Sequence, residues 1–244
     1  MARSAISSSG VKIDNIDAGK HPLVVRFMKG IFNLRPTKAK YETIWDVDQV
    51  LNMLDKLKPN SELSLKMLTL KLVMLIAIIH AARVQTLHQL SIQNIRKEKT
   101  SYVVQIDSLL KQTRPGMNVK PLKMEKYPPN ANLCVFKTLE EYLCRTQHLR
   151  NEEDRLFISY TKPHTKVSRA TISRWIKQVM QLSGVDITKY KAHSVRPASV
   201  SKAYTRCLPV DQVLKTAGWS LESTFTKFYN KEIVKECYAS VVLS

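Results

Sequence analysis

The chain has 244 residues, enough for one large domain or two small ones without a metal or disulfide staple. Its 39 Lys and Arg against 20 Asp and Glu leave a net charge of +19, whose natural counterpart is a polyanion. None of the six glycines falls in a G-x-G-x-x-G or G-x-x-x-x-G-K spacing, which excludes the usual phosphate cradles of dinucleotide and P-loop proteins.

Cys134, Cys144, Cys207 and Cys237 form no C-x-x-C pair and the histidines no H-E-x-x-H, so the sequence predicts reduced intracellular thiols and no metal site. The longest apolar run, Leu72 to Ile79, is too short to span a bilayer, and the N-terminus has no apolar signal region, so a soluble protein without membrane contact is expected.

In chain order, residues 1–20 are polar, serine-rich and aperiodic, and are expected to be a disordered lead. Residues 21–32 form a short basic amphipathic stretch, and 21–58 as a whole reads as a linker or the remnant of a preceding domain. From Ser61, a candidate N-cap, to about Ala82 the leucine and isoleucine spacing predicts a helix, apolar nearly all round in its second half and therefore central. A short helix follows over A-A-R-V-Q-T-L-H-Q-L-S with Leu87 and Leu90 inward. Tyr102 to Ile106 and Met117 to Met124 read as strands joined through R-P-G at 114–116. Further helices are predicted at about 133–148, 168–183 with Ser168 as N-cap, 194–205, 209–217 with Gly218 as C-cap, and 221–228. The fold class is mainly α with a small antiparallel β-sheet, α+β, with a principal domain over 59–230 and a tail over 231–244.

Charge is unevenly distributed. Between Tyr160 and Arg206 stand ten Lys or Arg and one acid, Asp186. Among them Lys162, Lys166, Arg169, Arg174, Lys177, Lys191 and Lys202 are candidate phosphate contacts, and Lys120 belongs to a second basic cluster around the hairpin. Double-stranded DNA is the expected partner.

His193 and Arg196 are three apart, close enough to serve one cluster of ligand oxygens. With Arg83 in A-R-V-Q-T-L, Lys111 in L-L-K-Q-T-R-P-G, H-S-V-R at 193–196, Trp219 after Gly218, and Tyr229 in S-T-F-T-K-F-Y, the order of motifs resembles the catalytic domain of the tyrosine recombinases over about 21–235. The flanking sequences look most like the recombinases of Crypton and DIRS mobile elements. Two positions depart from the family pattern: Thr86 stands where an acid is common, and Trp219 and Tyr229 are ten apart where nine is commoner.

The resemblance implies a site-specific recombinase or integrase that cuts and rejoins DNA through a 3′-phosphotyrosyl intermediate. Tyr229 would be the nucleophile, Arg83, His193 and Arg196 the phosphate ligands and activators, and Trp219 an indole N–H contact. Lys111 would protonate the leaving 5′ oxygen, with Lys120 as its rival. It further implies a homotetramer on two DNA sites, neither metal nor nucleotide cofactor, nuclear location, and a tail that docks on a neighbour or folds back on its own domain. Two other functions fit the same residues: a type IB topoisomerase-like relaxer, and a domesticated DNA-binding module without turnover. The chemistry suits the residue types. Two guanidinium forks can hold both non-bridging phosphate oxygens at any physiological pH, and a phenol with a pKa near 10 needs nearby positive charge or a base to attack.

Overall fold

The computed structural model describes residues 2–35, 41–107, 113, 120–218, 225–226 and 230–234. The chain falls into two compact units, Met1–Lys40 and Tyr41–Ser244. In the first, helix α1 (Ala2–Ser8), a two-residue hairpin of β1 (Lys12–Ile13) and β2 (Ile16–Asp17), and helix α2 (Pro22–Leu34) follow one another. Asp14 and Asn15, both with positive φ, make the tight turn between the strands, and the His21 ring accepts the Leu23 N–H to cap α2. Residues 2–20 thus carry local structure where an irregular lead is expected from composition.

The second unit begins at Tyr41, ahead of the boundary at 58–59 expected from sequence, because residues 43–56 belong to its core. Strand β3 (Thr43–Trp45) leads into helix α3 (Val47–Lys56), where the Asp46 carboxylate accepts the Asp48 N–H and Val47, Val50 and Leu54 point inward. Helix α4 (Leu65–Ile79) is the central element, with every residue from Leu68 to Ile78 buried. Its N-cap is Ser64, whose Oγ accepts the Met67 N–H at 3.2 Å; the predicted cap, Ser61, lies in a preceding 3-10 turn, Asn60–Glu62. Even Lys71 is buried within α4, donating to the Leu57 carbonyl and to Asn60 Oδ1, which ties the α3–α4 connection to the core.

The end of α4 sets up the site. Ala81 takes a left-handed conformation (φ 44°), and the Ala82 N–H reaches Ala77 O while the Ala81 N–H reaches Ile78 O, a nested pair of bonds that stops the helix and turns the chain sharply. Helix α5 (Val84–Gln89) starts at once, with Leu87 and Leu90 buried as predicted. Three antiparallel strands follow, in the order β4 (Ile95–Lys97), β5 (Ser101–Val104), β6 (Leu122–Glu125). Sequence reading anticipates β5 and β6 but not β4, and the R-P-G turn lies outside the described residues.

Helices α6 (Val135–Thr146), α7 (Arg169–Leu182), α8 (Val195–Thr205) and α9 (Val210–Ala217) complete the helical set. Helices α6, α7 and α8 pack against α4. Ser168 caps α7 through the Thr171 N–H, and Gly218 ends α9 at φ 64°, both as predicted. Of the helix expected at 221–228, only residues 225 and 226 are described, and they are helical. The last described element, β7 (Glu232–Val234), pairs in parallel with β3: Thr43 faces Glu232, Ile44 faces Ile233 and Trp45 faces Val234. Of the two fates open to the tail, this part folds back on its own domain.

Candidate active site

Arg196, in the first turn of α8, is buried at 3% exposure. Its Nη1 donates to the Ala81 carbonyl at 2.6 Å and its Nη2 to the Ala217 carbonyl. Both acceptors lie where a helix ends, so the guanidinium meets the negative ends of α4 and α9. It also draws together the segments that carry the other candidate residues: Arg83 is two residues beyond Ala81, and Trp219 two beyond Ala217. Ser199, one turn further along α8, reinforces the same contact by donating to the Ile78 carbonyl.

Arg83 itself is half-buried at the N-cap position of α5, its carbonyl accepting the Leu87 N–H at 3.1 Å. Thr86, where the family pattern favours an acid, is buried in the next turn of backbone. His193 sits in a 3-10 turn, Ala192–Ser194, and is exposed between two buried neighbours. The H-S-V-R spacing therefore brings His193 and Arg196 to one end of α8 but turns the first outward and the second inward. Lys111, Trp219 and Tyr229 lie outside the described residues.

The flanks of Tyr229 are nevertheless fixed. Phe225 is buried in a small apolar cluster with Val200, Val213, Ala81 and Ala217, and its ring meets Tyr204 edge-on at 5.3 Å. The Asn230 N–H closes back on the Phe225 carbonyl at 2.8 Å, and the Lys231 N–H donates to Ser201 Oγ of α8 at 3.0 Å. The cluster holding Phe225 thus contains both residues whose carbonyls bind Arg196.

The candidate phosphate contacts divide by environment. Lys162, Lys166, Arg169, Arg174 and Lys191 are exposed and Lys177 is half-buried on α7; Lys120, just before β6, is exposed. Lys202 is different: it pairs with Asp48, tying α8 to α3, and so has a structural partner that charge counting misses. Negative charge gathers elsewhere, where Glu140, Glu152, Glu153 and Asp154 line a surface hollow of about 560 Å³ beside α6. Among the described residues no group of three or more His, Cys, Asp or Glu is placed to hold a metal ion, and no helix is long and apolar enough to cross a membrane.

His80, at the C-cap of α4, is a half-buried titratable group whose ring nitrogen Nε2 is fully buried. Its Nε2 has no hydrogen-bond partner, and burial pushes its pKa from 6.5 down to about 4. The unfolded chain takes up a proton near 6.5 and the folded chain does not until near 4, so stability is complete above the first value and falls as pH drops towards the second. The expected loss from this group is at most about 3 kcal/mol. His88 is also held down, by burial and then by Arg155 and Arg169, and adds a term of the same sign. Chemical denaturation between these pH values should show the decline, and His80→Gln should flatten it relative to the native chain.

A buried arginine joining two helix ends, an exposed histidine on the same helix start, and a C-terminal segment anchored beside them on a mainly helical domain with a three-stranded sheet define the catalytic-domain fold of the tyrosine recombinases. The chain belongs to the phage integrase family, whose model matches residues 44–235. The structure is similar to that of XerH site-specific recombinase bound to palindromic difH substrate in a post-cleavage complex, at 15% identity and a TM-score of 0.58 over 91% of this chain and 58% of that one. It is similar to XerA recombinase at 14% identity and a TM-score of 0.57, over 99% of this chain and 78% of that one. It also matches a lambda integrase dimer bound to a COC' core site, at 16% identity and a TM-score of 0.54, over 97% of this chain and 71% of that one. At these identities the likeness is one of fold. The chain spans little more than half the length of the XerH chain it matches. No curated protein gives a match.

Proposed function

We propose that this chain cleaves and rejoins DNA strands as a site-specific recombinase, with Tyr229 attacking the scissile phosphate to give a 3′-phosphotyrosyl link and a free 5′ hydroxyl. The observation that supports the reading most is the Arg196 bridge, because it joins Ala81 and Ala217, which precede Arg83 and Trp219 by two residues each, beside the cluster that holds Phe225. A guanidinium has five N–H donors in a planar fork, so it can serve two carbonyls and a phosphate oxygen together. Arg83 and Arg196 take the non-bridging oxygens and His193 assists Tyr229. Lys111 or Lys120 protonates the leaving 5′ oxygen, and the bond energy stays in the ester. Lambda integrase has been seen as a dimer on a core site and as a tetramer on a Holliday junction. By analogy this chain works as a homotetramer on two sites. Its motifs favour an origin in a Crypton- or DIRS-type mobile element, and therefore a nuclear site of action.

A nicked suicide duplex of the cognate site tests the reading directly. The native chain should become covalently attached to DNA; no adduct at any salt concentration would favour a DNA-binding module without turnover. Thr86, buried where the family pattern favours an acid, is the observation that speaks for that second reading.

Binding itself should depend steeply on salt. If the exposed cations of the 160–206 segment and Lys120 engage six or more phosphates, affinity is expected to fall by about a thousandfold between roughly 50 and 200 mM salt. A fluorescence-anisotropy titration with little dependence on salt would remove the phosphate-facing role. Arg169→Glu with Arg174→Glu should weaken binding and reduce the slope, whereas reversal of Glu152 and Glu153 to lysine at the acidic hollow should not weaken it.

A further inference from the structure

Strand β3 touches both halves of the proposed site at once. Alternate residues of the stretch from Tyr41 into β3 meet the segment that carries His193. Tyr41 packs its ring against Tyr190 at 5.5 Å and its hydroxyl accepts the Lys191 N–H at 3.3 Å. Thr43 Oγ1 lies 3.4 Å from the Tyr190 hydroxyl. Trp45 donates its indole N–H to Ser194 Oγ at 2.8 Å, both residues being buried. Ser194 stands at the N-cap position of α8 yet its side chain does not cap that helix. Its hydroxyl instead receives the Trp45 N–H, which fixes the residue between His193 and Arg196. On its backbone edge, Thr43, Ile44 and Trp45 register Glu232–Val234, the strand that begins three residues after Tyr229.

We propose that Trp45 is a positioning residue for DNA cleavage: through Ser194 on one side and β7 on the other it holds the His193–Arg196 turn in register with the segment that delivers Tyr229. The inference rests on the recombinase reading above and adds to it a residue that touches neither DNA nor the reacting atoms. The physical reason is one of tolerance. In-line attack requires reacting atoms near 3 Å apart, and a displacement of about 1 Å costs on the order of a hundredfold in rate. His193 is exposed on a short turn, so its position follows that of its two buried neighbours, Ala192 and Ser194. The buried bond beneath it, from an indole that is itself locked in the core, supplies that restraint.

The test compares Trp45→Phe, Ser194→Ala and the double variant in single-turnover cleavage of the nicked suicide duplex at saturating protein. Phenylalanine keeps most of the ring packing and removes the N–H. Each single variant should bind the duplex within about twofold of the native chain and cleave it about tenfold more slowly, the equivalent of one lost buried hydrogen bond. The double variant should be no slower than the worse single one, because both substitutions remove the same interaction. A merely structural role would lower the fraction of active protein, read as adduct amplitude, and leave the rate constant unchanged; Trp45→Ala serves as that control. A native rate in Trp45→Phe, or single effects that multiply in the double variant, would overturn the inference while leaving the recombinase reading intact. Failure of the native chain to form any adduct would overturn both.

Discussion

Tyr229→Phe is expected to leave duplex affinity within about twofold of native and to abolish the covalent adduct, since removing one phenolic oxygen takes away the only bond-forming atom and few binding contacts. A phenol is only about 0.1% ionised at neutral pH, so in the proposed mechanism the attack depends on the guanidinium charges of Arg83 and Arg196 as well as on Tyr229. The anchors on either side predict that the substitution is silent in folding: Phe225 is locked in its cluster and the Lys231 N–H is bonded to Ser201, independently of the residue at 229. Denaturing electrophoresis of the suicide-duplex reaction checks the first part and thermal unfolding the second. An adduct formed by Tyr229→Phe would transfer the role to another nucleophile, and Tyr238→Phe would then identify or exclude the other tyrosine of the C-terminal segment.

Arg196 is expected to be costly in two separable ways. Truncation to alanine leaves the Ala81 and Ala217 carbonyls buried without their donor and opens a gap at the start of α8, so a destabilisation of about 3 kcal/mol or more is expected. Lysine restores one positive charge and some of the volume but cannot bridge two carbonyls with a planar fork. Arg196→Lys should therefore recover part of the stability while cleavage stays lower by roughly a hundred- to a thousandfold, the scale of losing one preorganised donor at a developing charge. Urea denaturation and single-turnover cleavage read the two effects independently. If lysine restored cleavage along with stability, Arg196 would be a strut and not a phosphate ligand.

The helical part of the fold is legible from local signals because its causes are local. The apolar run of α4, the Ser168 cap of α7 and the left-handed Gly218 after α9 each follow from a few neighbouring residues. Strand β3 is only three residues long and its partner β7 lies at the other end of the chain, so no short-range pattern announces the pairing. The alternation in Y-E-T-I-W and the Asp46 cap before Val47, Val50 and Leu54 are the traces that could have assigned 41–56 to the core. Charge counting finds the basic segment but cannot see that Lys202 answers Asp48 from α3. Motif spacing likewise places Arg196 beside His193 in the chain; only the crossing of α8 over the ends of α4 and α9 shows which way each side chain turns.

The parallel sense of the β3–β7 pair has a mechanical corollary. In an antiparallel pair the two incoming chains would lie at opposite ends; here the polypeptide enters β3 through Tyr41 and Glu42 at the same end where it enters β7 from Asn230 and Lys231. The start of β3 therefore lies within one interstrand spacing, about 5 Å, of the stretch that follows Tyr229, the proposed nucleophile. If Tyr229 is the nucleophile, a load carried by residues 41 and 42 would reach the segment that follows it across a single pair of neighbouring strands.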